Sequence, residues 1–296
     1  MSFSSNVKAE LSKRLSELDG ELAECVIYGV LLYCNHVGTD GIKIVTESAD
    51  FAKVLPPLFR RVFGADFDSG SGISVGGKYT VKLTDSGALR LIFDKYGCDP
   101  ATEPSLRLNR AVPRDDDGAA ALLRGAFLAG GSVTDPAKRY HLELRTNRYH
   151  VDRGMFSLLE ELGLRPKSVT RNGSYTIYFK RSGDIEDALT LMGAAVSSME
   201  HMNAKLEKGL RSSASREVNC VAANADKIAN AAVEQLRAIK RLSAAGRLGS
   251  LTDALQRTAE LRLNNEDASL AELAKLAGIS KSGLAHRLRK LLEEAK

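Results

Sequence analysis

The 296-residue sequence contains no tryptophan, and aromatic residues make up only 6% of it. The core must therefore be built mainly from aliphatic side chains. The four cysteines stand far apart with no CxxC pair. This spacing excludes both a disulfide scaffold and a zinc finger, and a reducing cytoplasm is the expected compartment.

Long apolar runs are also missing. No stretch of about 18 apolar residues occurs, which excludes a membrane-spanning helix and a membrane partner. The first residues, MSFSSNVKAELSKRL, are polar and helix-prone, so we expect no secretory signal. The length instead suits two or three globular domains.

The positive charge is unevenly distributed along the chain. The net charge is +5. Residues 201–296 contain 17 Lys and Arg against 11 Asp and Glu, whereas residues 1–200 contain 25 against 26. A basic C-terminal third on a near-neutral body indicates a module that binds a polyanion, and a solvated basic helix surface is the alternative.

The first two-thirds of the chain contain an internal repeat. Four sets of residues match in the same order at an offset of 96: Gly29 with Gly125, Tyr79-Thr80 with Tyr175-Thr176, Ser86-Gly87 with Ser182-Gly183, and Gly97 with Gly193. Such regular spacing predicts a duplicated unit of about 95 residues, and hence two similar lobes.

Hydrophobic periodicity gives the order of elements inside each unit. A helix passes through the repeated glycine, and a strand, a helix, a hairpin and a last helix follow. In the first unit these are the strand 41–47, the helix 51–63, a hairpin built from 72–75 and 79–83, and the helix 86–96. In the second they are the strand 140–146, the helix 151–162, a hairpin with Asn172-Gly173 at its turn, and the helix 185–192. Each lobe is therefore expected to be α+β, with helices on one side of an antiparallel sheet.

The repeated glycines lie in segments similar to a known motif. Residues 123–131, LRGAFLAGG, resemble the LAGLIDADG motif of homing endonucleases, and 27–35, IYGVLLYCN, is a weaker copy. The resemblance implies two motif helices packed side by side, with Gly125 and Ala129 allowing close approach, and two sheets forming a saddle over DNA. The family places an acid near the end of each motif helix, where this chain has Cys34 and Gly130.

Cleavage of a phosphodiester by this fold requires carboxylates that hold Mg²⁺. A glycine has no side chain, and a thiol is a poor ligand for a hard cation. We therefore expect no enzyme activity, no metal and no cofactor. The alternative is an active endonuclease in which Asp40 and Asp135, in nearby loops, replace the missing acids.

The C-terminal segment has the signals of a helix-turn-helix. Ser269 and Glu272 form a predicted capping box, and Gly278 permits the turn. A second helix follows over 281–295, with Leu284, Leu288, Leu291 and Ala295 on its buried face. An upstream helix, 251–263, would complete a three-helix core.

The second helix is predicted to enter the major groove of double-stranded DNA. Arg289 suits bidentate contact with guanine, and His286 or Ser282 suits base edges. Lys281, Arg287 and Lys290, at the start and on the flanks, suit phosphates. Ser280, the capping residue at the helix start, is predicted with them as a DNA-binding residue. The alternative is an αα-hairpin with a solvated basic face.

Residues 203–246 separate the lobes from this domain. The polar, serine-rich segment LEKGLRSSASREVN predicts a loop or hinge, and apolar residues between 221 and 239 then predict a long amphipathic helix. Arg211 and Arg216 in the polar segment are read as linker charge or phosphate contacts.

Three weaker signals are set aside. The segment 72–79, GISVGGKY, lacks the Ser/Thr and the following helix of a phosphate-binding loop and is read as a hairpin turn. Cys34 and His36 have no second pair for zinc. His141 and His150 have no evident nucleophile beside them, so no small-molecule substrate is expected.

Taken together, the chain resembles the WhiA family of Gram-positive bacteria. The specific segments are 124–144, RGAFLAGGSVTDPAKRYHLEL, and 268–291, ASLAELAKLAGISKSGLAHRLRKL, with further similarity at the start and around Asn219-Cys220 and Ala223-Asn224. The resemblance implies an α+β pair of tandem LAGLIDADG homing-endonuclease-like lobes, 1–112 and 113–202, a linker, 203–246, and an all-α helix-turn-helix domain, 247–296.

The resemblance further implies a non-catalytic, cytoplasmic and nucleoid-associated DNA-binding regulator of transcription, cell division and chromosome segregation, and of sporulation in relatives. A WhiB-type regulator and RNA polymerase are the candidate protein partners. A protein-binding scaffold without specific DNA readout is the remaining alternative.

Overall fold

The computed structural model describes residues 2–72, 74–99 and 106–296. They divide into two compact units, with the boundary between Lys208 and Gly209. We call them the front unit and the C-terminal unit. None of the helices in the described ranges is long and apolar enough to cross a membrane.

The front unit begins with an N-terminal helix and the first lobe. The elements are α1 (Phe3–Lys13), α2 (Gly20–Tyr33), β1 (His36–Gly38), β2 (Gly41–Thr46), α3 (Ala49–Phe63), β3 (Ser74–Val75), β4 (Lys78–Leu83) and α4 (Ser86–Lys95). The four strands form an antiparallel sheet in the order β1-β2-β4-β3. Alternation along β2 places Ile42 and Ile44 in the core and Lys43 in solvent, so helices cover one face only.

The second lobe repeats the first. Its elements are α5 (Asp116–Gly130), β5 (Gly131–Val133), β6 (Leu142–Thr146), α6 (Tyr149–Glu161), β7 (Lys167–Arg171), β8 (Ser174–Phe179) and α7 (Ser182–Met192). Its sheet order, β5-β6-β8-β7, is the same. Asn172 and Gly173 both have positive φ in the β7–β8 turn, as the hairpin signal predicts.

The predicted duplication is therefore confirmed, with one adjustment to its register. The motif helices, the last strands and the last helices match at or near the offset of 96, whereas the middle elements match at 100. The hydroxyl of Thr46 accepts the amide N–H of Ser48, and that of Thr146 accepts the N–H of Arg148 in the same way. The β5–β6 connection is longer than the two-residue β1–β2 turn, which shifts the register between the lobes.

The motif helices α2 and α5 pack against each other at the centre of the front unit. Gly29 lies against the backbone of Leu122, and Gly125 lies against the backbone of Val26. The close helix pairing is confirmed, but the two repeated glycines make the contact. Ala129, expected to extend the contact, lies in a groove at the end of α5.

The predicted loop over the polar serine-rich segment is wrong. A single helix, α8 (Ala195–Ala244), runs through it. The segment contains no proline, and serine, alanine, arginine and glutamate are all compatible with a helix. Polarity indicates that this part of the helix is exposed, which it is, but it does not indicate a break. The predicted amphipathic helix over 221–239 is the C-terminal part of α8.

The C-terminal unit contains the larger part of α8, from Gly209 onward, and the helices α9 (Asp253–Asn264), α10 (Leu270–Leu276) and α11 (Lys281–Glu294). Its aliphatic core includes Ile239 and Leu242 of α8 and Leu288 of α11. The predicted three-helix core is present, and α8 packs against it as a fourth helix.

A buried arginine holds this unit together. Arg262 of α9 is 2% exposed. Its Nε donates to the side-chain oxygen of Gln235, and its Nη1 donates to the carbonyl oxygens of Ala268 at 2.7 Å and Asn265 at 3.2 Å. Burial lowers the pKa of this guanidinium, and its bonds tie α8, α9 and the loop before α10 together.

Candidate nucleic-acid interface

The helix-turn-helix forms as its capping signals predict. The Ser269 hydroxyl accepts the Glu272 N–H, and the Glu272 carboxylate accepts the Ser269 N–H. These hydrogen bonds lower the pKa of the Glu272 carboxyl. Gly278 ends α10 with a φ of 64°. The chain then turns directly into α11, which presents one face to solvent.

Burial along α11 separates its core face from its open face. Leu284, Leu288 and Leu291 are buried. Of the seven predicted DNA-contacting residues, Arg287 is half-buried and six are exposed; the exposed ones are Ser280, Lys281, Ser282, His286, Arg289 and Lys290. The helix therefore offers cationic and hydrogen-bonding side chains along a single open surface, as base and phosphate contacts require.

Ser280 has a structural role at the start of α11. Its hydroxyl oxygen accepts the Gly283 N–H at 3.1 Å and lies 3.1 Å from the Ser282 hydroxyl oxygen. This cap holds the first turn of the helix. A DNA contact by Ser280 itself stays a prediction.

The structure adds cations that sequence reasoning missed. A groove beside α11 is lined by Arg237 and Arg241 of α8 together with Arg289 and Lys296. Alanine and leucine side chains form part of the groove wall, and Glu234 is one of its two acids. The amphipathic pattern of α8 predicts which of its positions are buried, and it therefore also predicts that Arg237 and Arg241 are exposed. That they lie beside Arg289 could not be predicted, because it depends on how the helices pack.

The front unit has a second candidate surface, at the ends of the motif helices. The Cys34 thiol, where the resemblance expects an acid, is buried, and its single S–H has the carbonyl oxygens of Leu31 and His36 within hydrogen-bonding distance. Burial raises its pKa, and Arg148 opposes this only in part. The thiol is therefore kept protonated and unsuited to a hard cation.

The second position, Gly130, has no room for a side chain. A Cβ atom there would lie 2.7 Å from the carbonyl oxygen of Arg145 and 2.9 Å from the ring of Tyr33. An aspartate at this position would displace backbone. The local packing therefore requires a residue without a side chain at position 130.

Cations occupy the ends of both motif helices. Arg148 Nη1 donates to the carbonyl oxygen of Leu32 at 2.9 Å and also lies within hydrogen-bonding distance of those of Leu31 and Cys34. Lys8 Nζ donates to the carbonyl oxygen of Leu128 at 3.1 Å. Positive charge at a helix C-terminus satisfies free carbonyls and complements the helix dipole.

The two loop acids considered as replacements have other partners. Asp40 accepts a hydrogen bond from His36 at 2.8 Å, and this bond lowers the pKa of the Asp40 carboxyl. Asp135 accepts the N–H of Ala137 within its own turn. Across the described ranges, no cluster of three or more histidine, cysteine or acidic side chains is arranged to hold a metal ion.

The open faces of the two sheets carry basic residues. In the first sheet, Lys43 and Lys82 lie directly opposite each other on neighbouring strands, with Lys78 on the same face. In the second sheet, the open-face cations are Arg145, Lys167 and Arg171, and Glu143 pairs with His141. Like charges opposite each other, such as Lys43 and Lys82, destabilise a sheet, so the first face in particular is suited to a polyanion.

The segment set aside as a phosphate-binding loop, and the two histidines set aside with it, have other structural roles. The segment around Gly76 and Gly77 is a β3–β4 hairpin turn, although Ile73 lies outside the described residues. His141 is bonded to Glu143, and the ring of His150 packs against Tyr149.

Comparisons with known proteins match both units. The sequence model of the WhiA LAGLIDADG-like domain matches residues 119–211, and that of the WhiA C-terminal HTH domain matches residues 214–295. Relatives named "Probable cell division protein WhiA" are 32% identical in Clostridium acetobutylicum, over 98% of this chain and 96% of the relative, and 33% identical in Ruminiclostridium cellulolyticum, over 100% and 97%.

Solved structures agree with the fold. Full-length DUF199/WhiA from Thermatoga maritima is 22% identical and superposes with a TM-score of 0.60 over 100% of this chain and 98% of its own. The N-terminal LAGLIDADG domain of DUF199/WhiA superposes with a TM-score of 0.50 over 65% of this chain. The fold is thus two LAGLIDADG-like lobes followed by a helix-turn-helix domain, and the chain belongs to the WhiA family.

Proposed function

We propose that this chain is a non-catalytic DNA-binding regulator of transcription that acts in cell division and chromosome segregation. The observation that carries the proposal is the open face of α11, where Lys281, Ser282, His286 and Arg289 are exposed on a capped, well-packed helix. The name of the relatives supports the link to cell division. The expected location is the nucleoid.

The proposed readout follows the chemistry of the side chains. The first turns of a recognition helix contact base edges, so Ser282 and His286 are assigned to base edges and Lys281, at the helix start, to a phosphate. Arg289, about two turns beyond Ser282, contacts guanine or, through the neighbouring groove, phosphate. Arg287 and Lys290 contact the flanking backbone.

Genome-wide immunoprecipitation tests this assignment. The wild-type chain is compared with an Arg289→Ala, Lys281→Ala variant and with Lys240→Ala, a matched control whose ammonium pairs with Glu266. We expect the double variant to lose specific occupancy and the control to keep it. Unchanged occupancy in the double variant would remove the helix-turn-helix from the mechanism.

The non-catalytic part of the proposal is supported by the chemistry at the motif-helix ends. Cys34 is a buried thiol, Gly130 has no room for an acid, and Lys8 and Arg148 place positive charge there. Supercoiled plasmid incubated with the protein and Mg²⁺ should stay intact. Nicking that copurifies with the chain and is abolished by chelation would favour the endonuclease instead.

The scaffold alternative differs in its response to salt. A DNA-binding chain loses affinity steeply as salt rises, whereas a scaffold binds duplex no more salt-sensitively than an unrelated neutral protein. A WhiB-type regulator and RNA polymerase stay predicted partners, and copurification with a tagged chain tests each of them.

A further inference from the structure

We propose that Lys8 contacts a phosphate of a DNA duplex lying across the two sheets of the front unit. This inference rests on the proposed DNA-binding function and adds a second contact surface to it. It assigns a role to α1, the helix that comes before the first motif helix.

Lys8 lies at the junction of the two lobes. Its ammonium nitrogen donates to the carbonyl oxygen of Leu128, near the end of α5, and lies 5.8 Å from the ring centre of Phe127. The Ser4 hydroxyl, one turn earlier, accepts the N–H of Val133 at the edge of β5. These contacts fix α1 against the second lobe and hold the ammonium group at the seam.

Two grooves meet at this side chain, and each leads to a different sheet. The first is lined by Lys8 together with Val45 and Lys78 of the first sheet. The second is lined by Lys8 together with Ser132 of the second sheet. Because Val45, Lys78 and Ser132 all lie on the open faces, Lys8 lies between the two basic surfaces.

The charge around Lys8 favours an anion from outside the chain. Its bond to Leu128 is to a neutral carbonyl, and Lys78 in the same groove is a second cation. The acid that faces both grooves is Glu47. A phosphate would add the charge-assisted hydrogen bond that a lysine makes best, with the hydroxyls of Ser4, Ser48 and Ser132 nearby.

The ionisation of Lys8 is consistent with this role. Burial lowers its pKa to about 8, and the carboxylate of Glu47 acts in the opposite direction. An amine with this pKa is mainly protonated at neutral pH, and a bound phosphate raises its pKa. Burial, Glu47 and any phosphate that binds therefore set its charge.

The salt dependence of duplex binding by the full chain tests the proposal. The probe is a random-sequence 40-base-pair duplex, so that operator recognition does not contribute. The variants are Lys8→Met, which keeps the apolar stem, Lys8→Arg, which keeps the charge, and Lys13→Met, an exposed lysine on the same helix. Binding is measured from 50 to 200 mM salt.

Between 50 and 200 mM salt the affinity of the wild-type chain falls by some factor. We expect that factor to be roughly threefold smaller for Lys8→Met, which corresponds to the loss of one phosphate contact. Lys8→Arg should restore the wild-type slope, and Glu47→Gln should strengthen binding. A slope for Lys8→Met equal to that of Lys13→Met overturns the proposal, provided the thermal transition of the front unit is unchanged.

Lysine acetylation read by mass spectrometry gives a second measurement that does not depend on the variant folding. In the wild-type chain, the duplex should protect Lys8 and leave Lys13 reactive. Equal modification of Lys8 with and without duplex contradicts the contact.

The same two measurements on the Lys281→Ala, Arg289→Ala variant separate this inference from the proposed function. If that variant loses promoter occupancy while Lys8 stays protected, both proposals hold. If it keeps occupancy, the proposed function fails whatever Lys8 does. If the duplex does not protect Lys8 in the wild-type chain, while Lys281 and Arg289 are required for promoter occupancy, only the present inference fails.

Discussion

Gly29 and Gly125 make reciprocal backbone contacts between the two motif helices. A Cβ atom at Gly29 would lie 2.8 Å from the amide nitrogen of Ala126, and one at Gly125 would lie 3.0 Å from the amide nitrogen of Val30. Each would be closer still to a carbonyl oxygen of the facing helix. The two copies of the repeat are therefore packed together through Gly29 and Gly125, which are matching positions of the repeat.

Gly125→Ala should destabilise the front unit. The added methyl group meets rigid backbone, so the helices must separate, and overpacking of this kind costs about 3 kcal/mol. Gly183→Ala is the matched control, because its Cβ would meet nothing within 4 Å. Hydrogen exchange of front-unit peptides in urea measures both. Equal stability of the two variants would contradict the reciprocal packing.

Arg262→Met should destabilise the C-terminal unit without affecting the front unit. The substitution leaves the partly buried carbonyl oxygen of Ala268 and the side-chain oxygen of Gln235 without their donor, and a fully buried polar group left unsatisfied costs about 1–3 kcal/mol. Arg257→Met, at an exposed position of α9, is the control. Calorimetry should show one transition lowered and the other unmoved, and two unmoved transitions would refute a structural role for Arg262.

Arg237→Ala combined with Arg241→Ala should weaken DNA binding by a similar factor on every sequence. Both side chains share the groove with Arg289 and are placed to contact phosphate. The slope of log affinity against log salt should fall by roughly 1.8, or about 0.9 for each lost contact. Lys240→Ala on the same helix should leave the slope unchanged. A loss confined to one DNA sequence would show that these arginines read bases.

Acid should destabilise the front unit through His201. This histidine is fully buried, and burial lowers its pKa below the ordinary 6.5, although the Glu186 carboxylate beside it acts in the opposite direction. As the pH falls through 6.5, the unfolded chain binds a proton that the folded chain does not, so stability falls. Burial alone would raise the Glu186 pKa, but hydrogen bonds from Ser182, Lys205 and His201 lower it overall. Protonation of Glu186 therefore lowers the stability further as the pH falls below about 4.5.

Melting temperatures of the front unit at pH 7.5 and 5.5 measure this effect. His201→Gln should show a smaller fall than the wild type, because the glutamine does not titrate. His150→Gln, at an exposed position, should behave as the wild type does. An identical fall in both variants would mean that other groups cause the acid sensitivity.

The elements that were predicted correctly depend on local signals. The Asn172-Gly173 turn, the Ser269 capping box and the Gly278 turn each follow from the conformational preferences of a few adjacent residues. The prediction of a loop within α8 was wrong because it also relied on a local signal, the composition of the segment. A polar, serine-rich composition reports exposure to solvent, and an exposed segment without proline remains free to be helical.

The sequence by itself determined the duplication, the absence of acids at Cys34 and Gly130, and the open basic face of α11, because periodicity, spacing and caps are properties of neighbouring residues. Only the tertiary structure decided what replaces those acids. Lys8 reaches Leu128 across 120 residues, and Arg148 reaches Leu32 across 116.

The tertiary structure also gathered basic residues of near-neutral lobes onto the open faces of two sheets. Such contacts depend on chain crossings and strand register, which no local pattern encodes.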